Sequence, residues 1–507
     1  MYMLAGSIFI KAWRRSLTLR FLRGAWEALV AVGSNSRMVS FLLGEGPGWM
    51  EESFYYLNLR RGLGFLAATL LRYRRGLAAI MDNSRALALL RGCYFLGLLL
   101  IPLSLPFLPN LAFLLLLALV LAVFILGLLA GDNLSLRLPD NPFLYLFLFL
   151  LFMSSVTSVT LGFSLREILL HILGWGLMVA IYTSLTQRRR VELFLLALMA
   201  GAVLVSLYGI YGYYVGVPGE SGWVDAAMHP ELTVRAFSTF GNPNVLAEYL
   251  VFLIPFSLGL AWCQGSWGWR LLFVGGAGLQ MLCLLLTMAR SGWIALGAGL
   301  AVFAILLDRR LLVLGMGLGL LSVPLLLRSG VLLRRILSIF TLRDSSNAHR
   351  IVVWRETLVM IREFWATGVG LGHRAYRFLY PYFAFDRSKF PFHSHNTYLQ
   401  VAVEVGLFGL LALLLYLGSV YKGTVGQALQ EKDPFGRALL AAAAASLTGM
   451  LVFGLFESII YLPKIIILFW LVLGLVTALQ DGGTFFPSRC DRDGGMSDCV
   501  KSPPHHI

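Results

Sequence analysis

Charge is what this sequence has least of. Of its 507 residues only 13% are Asp, Glu, Lys or Arg, while 58% are hydrophobic. A soluble globular chain carries about 25% charged residues, so a water-soluble fold is excluded. Cysteine is sparse too. Cys93, Cys263, Cys283, Cys490 and Cys499 form no CxxC and no Cys/His metal spacing, so neither a disulfide framework nor a zinc site is expected. Also missing are the alternating ten-residue segments of a membrane barrel. No cleavable signal peptide is evident, because basic residues interrupt the apolar stretches near the start.

What is there is a series of uncharged runs long enough to cross a bilayer, which takes roughly 20 residues per helix. From Cys93 onward the sequence predicts twelve spans, near 93–109, 111–130, 142–160, 165–186, 191–215, 244–263, 271–289, 291–307, 311–327, 397–420, 438–460 and 465–480. The fold class expected is an all-α polytopic membrane protein of about twelve helices. Arg188, Arg189, Arg190, Arg270, Arg309, Arg310 and Lys422 all fall in short loops on one side of this count. By the positive-inside rule that side is cytoplasmic. Three regions follow. Residues 1–91, with thirteen basic and five acidic residues, are expected to be a cytoplasmic arm on anionic lipid. Residues 92–480 form the transmembrane domain, and 481–507 a cytoplasmic tail.

Two long segments are expected to face outward, 217–243 and 328–396, the second lying between spans nine and ten. Residues 328–396 hold eleven basic and four acidic residues. Long loops are exempt from the charge rule, so the excess asks for an anionic ligand, and a diphosphate suits it. Within that loop Trp354, Leu358, Ile361 and Trp365 recur at helical spacing, which predicts one apolar stripe on an amphipathic helix.

The sharpest local pattern is His395-Asn396, nine residues, then Gly406-Leu-Phe-Gly409. It puts a histidine at the outer mouth of a span and two glycines further along the same helix, where small residues let a neighbouring helix approach. A histidine there titrates near neutral pH and serves as general base or as a donor to phosphate oxygen.

This pattern resembles the His-Asn-x9-Gly-x-x-Gly signature of O-antigen ligases, within the wider O-antigen ligase and polymerase superfamily. Phe392 to Gln400, Glu404 to Leu407, Arg350-x3-Trp354, Gly368-x-Gly370-x-Gly372, Phe240 to Asn244 and Thr287-Met-Ala-Arg290-Ser291 are similar to further family elements. Ile294 stands where the ligase element has Leu, and Ala289 where Ser is usual. The resemblance covers roughly 235–414 and implies a GT-C-like fold in the cytoplasmic (inner) membrane with an outward-facing active site. It further implies a metal-independent glycosyltransferase, without cofactor, whose donor is a glycan on a polyprenyl (undecaprenyl) diphosphate. The acceptor would be a glycan, a lipid A core or a protein. Arg290 and Arg350 are expected to grip the diphosphate, with Arg235, Asn396, Arg355 and His349 in supporting binding roles. His395 would accept the acceptor's proton or orient the phosphate.

Other features have plainer readings. His393 and His395 lack a clear third metal ligand in the sequence. Gly368-x-Gly370-x-Gly372 has no βαβ context and reads as an irregular turn. Glu248, Glu404 and Glu457 lie within or beside spans, as functional groups or as helix-pairing ones. No acidic pair of glycosidase type stands in the outer loops. The net charge of +15 is accounted for by the membrane sides, without a nucleic-acid partner. The two other readings of the same pattern are a surface-polysaccharide polymerase and a small-anion, bicarbonate-like transporter. A transporter would place its polar groups at the bilayer midplane, whereas this cluster sits at span mouths.

Overall fold

A computed structural model describes residues 92–130, 136–217, 234–328, 335, 345–385 and 391–481. All lie in one compact unit, Ala78–Ile507. The arm at 1–91 and the tail beyond Asp481 fall outside the described residues, as do Cys490 and Cys499. Among the described residues the regular elements are α-helices, apart from one 3-10 turn at Ser238–Phe240. α1 is Tyr94–Ser104, α2 Asn110–Ala130, α3 Pro142–Val156, α4 Leu161–Ser184, α5 Arg188–Val215, α6 Pro243–Cys263 and α7 Trp267–Leu286. α8 is Arg290–Leu307, α9 Arg310–Arg328, α10 Ser345–Glu363, α11 His373–Phe383, α12 Thr397–Gln430, α13 Pro434–Phe453 and α14 Pro463–Gln480. Every one of the twelve expected spans is occupied by a helix. Among the described residues nine of these helices are long and apolar enough to cross a membrane, α1 and α3 are shorter apolar helices, and α9 falls in neither group. The protein is a multi-pass all-α membrane protein.

In lipid the tails are as apolar as leucine, so packing between helices rather than burial from water holds such a bundle. α6 is its centre: every residue from Val245 to Ser257 is buried. α13 meets α6 and α8 along the run Ala441–Ala445, in which no side chain is exposed. The fit is close enough that a Cβ on Gly299 would come 2.6 Å from the Ala445 carbonyl. α4 and α14 form a second close pair, tied by Trp470 Nε1 donating to His171 Nδ1 at 3.2 Å.

The structure corrects three local expectations. α13, at the eleventh expected span, ends at Phe453 rather than near 460, leaving 454–462 as a non-helical turn before Pro463. α10 buries Val353, Glu356, Thr357 and Met360, while Leu358 and Trp365 are exposed. Its packed face thus shares only the buried Ile361 with the expected 354/358/361/365 stripe, because α11 and α12 cover the adjoining face at Val353 and Met360. The Gly406 position is not a helix-packing notch. Gly406 breaks α12 with φ +83 and ψ 173, and the Leu407 N–H donates instead to the Trp365 carbonyl at 2.7 Å. A Cβ on Gly406 would lie 2.6 Å from the Ala366 oxygen, so only glycine accepts the chain that crosses there.

Candidate functional site

The crossing chain is Gly368 to Gly372, whose three glycines all have positive φ. It threads between two span ends, with the Val369 N–H donating to the Val403 carbonyl, the Gly370 N–H to Glu404 and the Val159 N–H to Val369. Glu404 closes this junction: its carboxyl accepts from the Gly372 N–H at 3.0 Å and the Gln400 amide at 2.6 Å. Glu404 therefore ties the loop at Gly372 to its own helix.

Immediately before α12, His395 has φ +53, a left-handed conformation that costs a non-glycine residue of order 1–3 kcal/mol and survives only where its surroundings hold it. Those surroundings are visible. The His395 N–H donates to His393 Nδ1 at 3.1 Å and the Ser394 N–H to Gln400 Oε1 at 2.7 Å. Asn396 is the N-cap of α12, accepting from the Leu399 N–H, while its amide donates to the Leu455 carbonyl. Thr397 donates to the Glu457 carbonyl and accepts from the Ile459 N–H. The His-Asn segment is thereby stitched to the turn at 454–459, and Asn396 spends its amide on that seam and its Oδ1 on capping α12.

The turn delivers Glu457. Its Oε1 accepts from the guanidinium of Arg350 and from Asn244 Nδ2, the latter at 2.9 Å. Its Oε2 lies 3.0 Å from His395 Nδ1. Burial alone would raise this carboxyl, but Arg350 and His395 more than offset it and hold it well below the usual carboxylate range. An ionised carboxylate only accepts, so Nδ1 of His395 carries the proton and Nε2 is left as the basic nitrogen. His393 is buried, which with the neighbouring His395 pushes it down to about 3. It stays neutral, with Nδ1 as acceptor.

Asn244 passes the contact on to Arg235, whose Nη2 donates to its Oδ1 at 3.2 Å and whose Nε donates to the Thr287 carbonyl at 2.8 Å. Asn244 is placed by the Asn242 cap and Pro243 at the start of α6. Thr287 and Met288, the latter at φ +55, make the tight turn that points Arg290 from the first position of α8. Arg335 donates to the Met288 carbonyl at 3.1 Å. Burial first, then the charges of Arg335, Arg290 and Arg350, push Arg235 down to about 9 against the pull of Glu457. It remains a cation at neutral pH. Four arginines from four separate segments thus share one electrostatic neighbourhood with the buried Glu457 carboxylate.

Of the residues singled out in the sequence, Arg235, Arg290, Arg350 and His395 meet here. The His349 ring lies 6.4 Å from that of His395. Arg355 does not join them: five residues on from Arg350 it lies roughly 140° round the helix and is exposed. Arg335 is the residue that sequence reasoning missed at the site, whereas Glu457 was named from the sequence only as a carboxylate near a span, functional or helix-pairing, with no link to His395. The signal for Glu457 was weak, since it is one of three carboxylates near spans and sits in a segment expected to be helical. His393, His395 and Glu457 place ligand atoms within 4.8 Å of one another, the third ligand the sequence lacked. Yet Glu457 is already paired with Arg350 and surrounded by arginines, an environment repulsive to a metal cation.

The family model described as Wzy_C, O-antigen ligase, matches residues 275–414. The exopolysaccharide production protein ExoQ of Rhizobium meliloti (strain 1021) is 26% identical over 270 residues, 49% of this chain and 58% of that protein. The match thus spans a little over half the length of that relative. Residues 275–414 are therefore the part of this chain that is similar to the O-antigen ligase family. They contain Arg290, Arg350, His395 and Asn396, whereas Arg235, Asn244 and Glu457 lie outside them.

Proposed function

We propose that this protein is a membrane glycosyltransferase that moves a glycan from a polyprenyl diphosphate carrier to an acceptor on the outer face of the cytoplasmic membrane, as an O-antigen ligase does. The observation that carries the reading is the Arg350–Glu457–His395 hub with Arg235, Arg290 and Arg335 around it. A diphosphate is the anion for which a group of guanidinium forks is suited. Its attachment to a membrane-embedded lipid puts it at the depth of these span mouths. As the bond from the anomeric carbon to the phosphate oxygen breaks, the departing diphosphate gains charge that the arginines stabilise. Nε2 of His395 takes the proton of the attacking hydroxyl, and Glu457 keeps the ring in the tautomer that can do so. Direct attack inverts the anomeric centre.

A second reading, a polymerase that extends lipid-linked repeat units, is favoured by the relative whose name concerns exopolysaccharide production. One comparison separates the two. Lipid-linked and finished surface glycans are measured in the native host, with wild type set against His395→Ala at matched membrane levels. Accumulation of full-length glycan on its lipid identifies a ligase, and accumulation of single repeat units a polymerase. An unchanged profile overturns the role of His395. If deleting the whole protein also changes nothing, glycosyl transfer falls and the anion-transporter reading takes its place.

A further inference from the structure

Two sets of groups flank His395. One is the arginine set, joined through Glu457 and Asn244. The other is a row of rings joined through His393, whose ring centroid is 4.3 Å from that of His395 and 4.4 Å from that of Tyr461. Tyr461 in turn stands 5.1 Å from His373. The row ends at Glu167, at the start of α4, whose Oε1 is 3.7 Å from His373 Nδ1. Gly372, at φ +95, lets α11 begin against that carboxylate, since a Cβ there would meet Glu167 Cγ at 2.4 Å.

The hub does not use this row. His373 Nδ1 is buried without a hydrogen bond among the described residues. Tyr461, Glu167 and His373 are only partly covered, so each can still meet a ligand. Alongside, Arg377 stacks over the exposed ring of Phe392 at 4.2 Å. Ring faces with polar edges, next to a carboxylate and imidazoles, are the chemistry that recognises a pyranose: its C–H face lies on a ring and its hydroxyls bond to the edges.

We infer that Tyr461, His373 and Glu167 form the acceptor subsite, which takes the hydroxyl-bearing end of a glycan and presents it to His395. The inference rests on the glycosyl-transfer reading above and deepens it. In an inverting displacement the attacking and leaving oxygens stand on opposite sides of the anomeric carbon. With the diphosphate on the arginines, the acceptor arrives from the side of the rings. The acceptor oxygen forms the new bond to that carbon and gives its proton to His395 Nε2. The old carbon–oxygen bond breaks with its electron pair leaving on the diphosphate.

The test uses the full-length protein in nanodiscs and two probes. Farnesyl diphosphate reports the arginine side. The other probe is an oligosaccharide released from the host's own lipid-linked glycan and reduced at its end, so that it has no anomeric leaving group. Tyr461→Ala and His373→Ala should each weaken binding of the oligosaccharide at least about tenfold and leave that of farnesyl diphosphate within about twofold. Arg290→Ala should do the reverse. The retained diphosphate affinity also shows that the variants fold. Should an alanine variant lose both, Tyr461→Phe and Glu167→Gln replace it, and loss of both probes there overturns the subsite. Equal oligosaccharide binding by wild type and variants overturns it as well, as does wild type that binds the diphosphate but not the oligosaccharide. Wild type that binds neither overturns the glycosyl-transfer reading itself.

Discussion

His395 Nδ1 lies 3.0 Å from Oε2 of Glu457, a residue 62 positions further along the chain. Through the other oxygen of the same carboxylate the contact continues to Arg350. One buried group thus sets the tautomer of the proposed base and the position of a proposed diphosphate ligand, so both respond to its replacement.

Glu457→Gln keeps the shape and removes the charge. His395 can then turn its protonated nitrogen the wrong way, and transfer should fall by about 10²–10⁴-fold with little loss of folded protein. Glu457→Ala leaves the partly buried Arg350 guanidinium without its carboxylate, which should cost less than the ~3–5 kcal/mol of breaking a fully buried pair. Quantifying transfer in membranes alongside thermal unfolding of the purified protein checks both. Full activity in Glu457→Gln would remove the carboxylate from the mechanism.

Arg350 and Arg355 lie on one helix but face apart. Arg350→Ala should lower transfer by at least about a hundredfold, as expected for loss of a preorganised charge at the reacting group. Arg355→Ala, at an exposed position, should stay within about threefold of wild type, its stability changing by about 0.5 kcal/mol or less. Comparable losses in the two variants would contradict the placement of the anion beside Glu457.

Gly406→Ala should destabilise the protein by about 2 kcal/mol or more. The new Cβ would clash with the Ala366 carbonyl, and φ +83 disfavours any L side chain. Gly418, on the same helix, has open space around it. Gly418→Ala should be neutral or stabilising by up to about 1 kcal/mol. Thermal unfolding in detergent reads the difference, and an equal response of the two positions would count against the break in α12.

His393 titrates at about 3 in the folded protein, against an ordinary value of 6.5. Between those values the unfolded chain binds the extra proton, so its contribution to stability is complete above 6.5 and declines as pH falls towards 3, by roughly 1.4 kcal/mol per pH unit. Glu457, also depressed, adds to the decline only at lower pH, once the ordinary carboxylate range is entered. His393→Gln should therefore flatten the stability profile between pH 6 and 5. A slope there equal to that of wild type would show that His393 is not buried neutral.

The membrane architecture was legible from local composition alone. A run of uncharged residues has to satisfy its backbone within itself in lipid, so each apolar run marks a helix without reference to any other. The Arg290, Arg350 and His395 candidates were legible for a related reason, since each belongs to a short contiguous pattern. What the sequence left undetermined depends on contacts between distant segments. Glu457 and Arg335 carry no motif, and their roles exist only because the 454–459 turn and the Met288 carbonyl are brought to the same mouth as His395. The break at Gly406 follows from the chain that crosses it, not from its neighbours. The packed face of α10 was decided by the positions of α11 and α12, since helical periodicity names an apolar stripe but not the surface that will cover it. Local chemistry determined the elements and their candidate reactive ends; tertiary packing decided which charges share a carboxylate, because electrostatic coupling depends on distance through space and not along the chain.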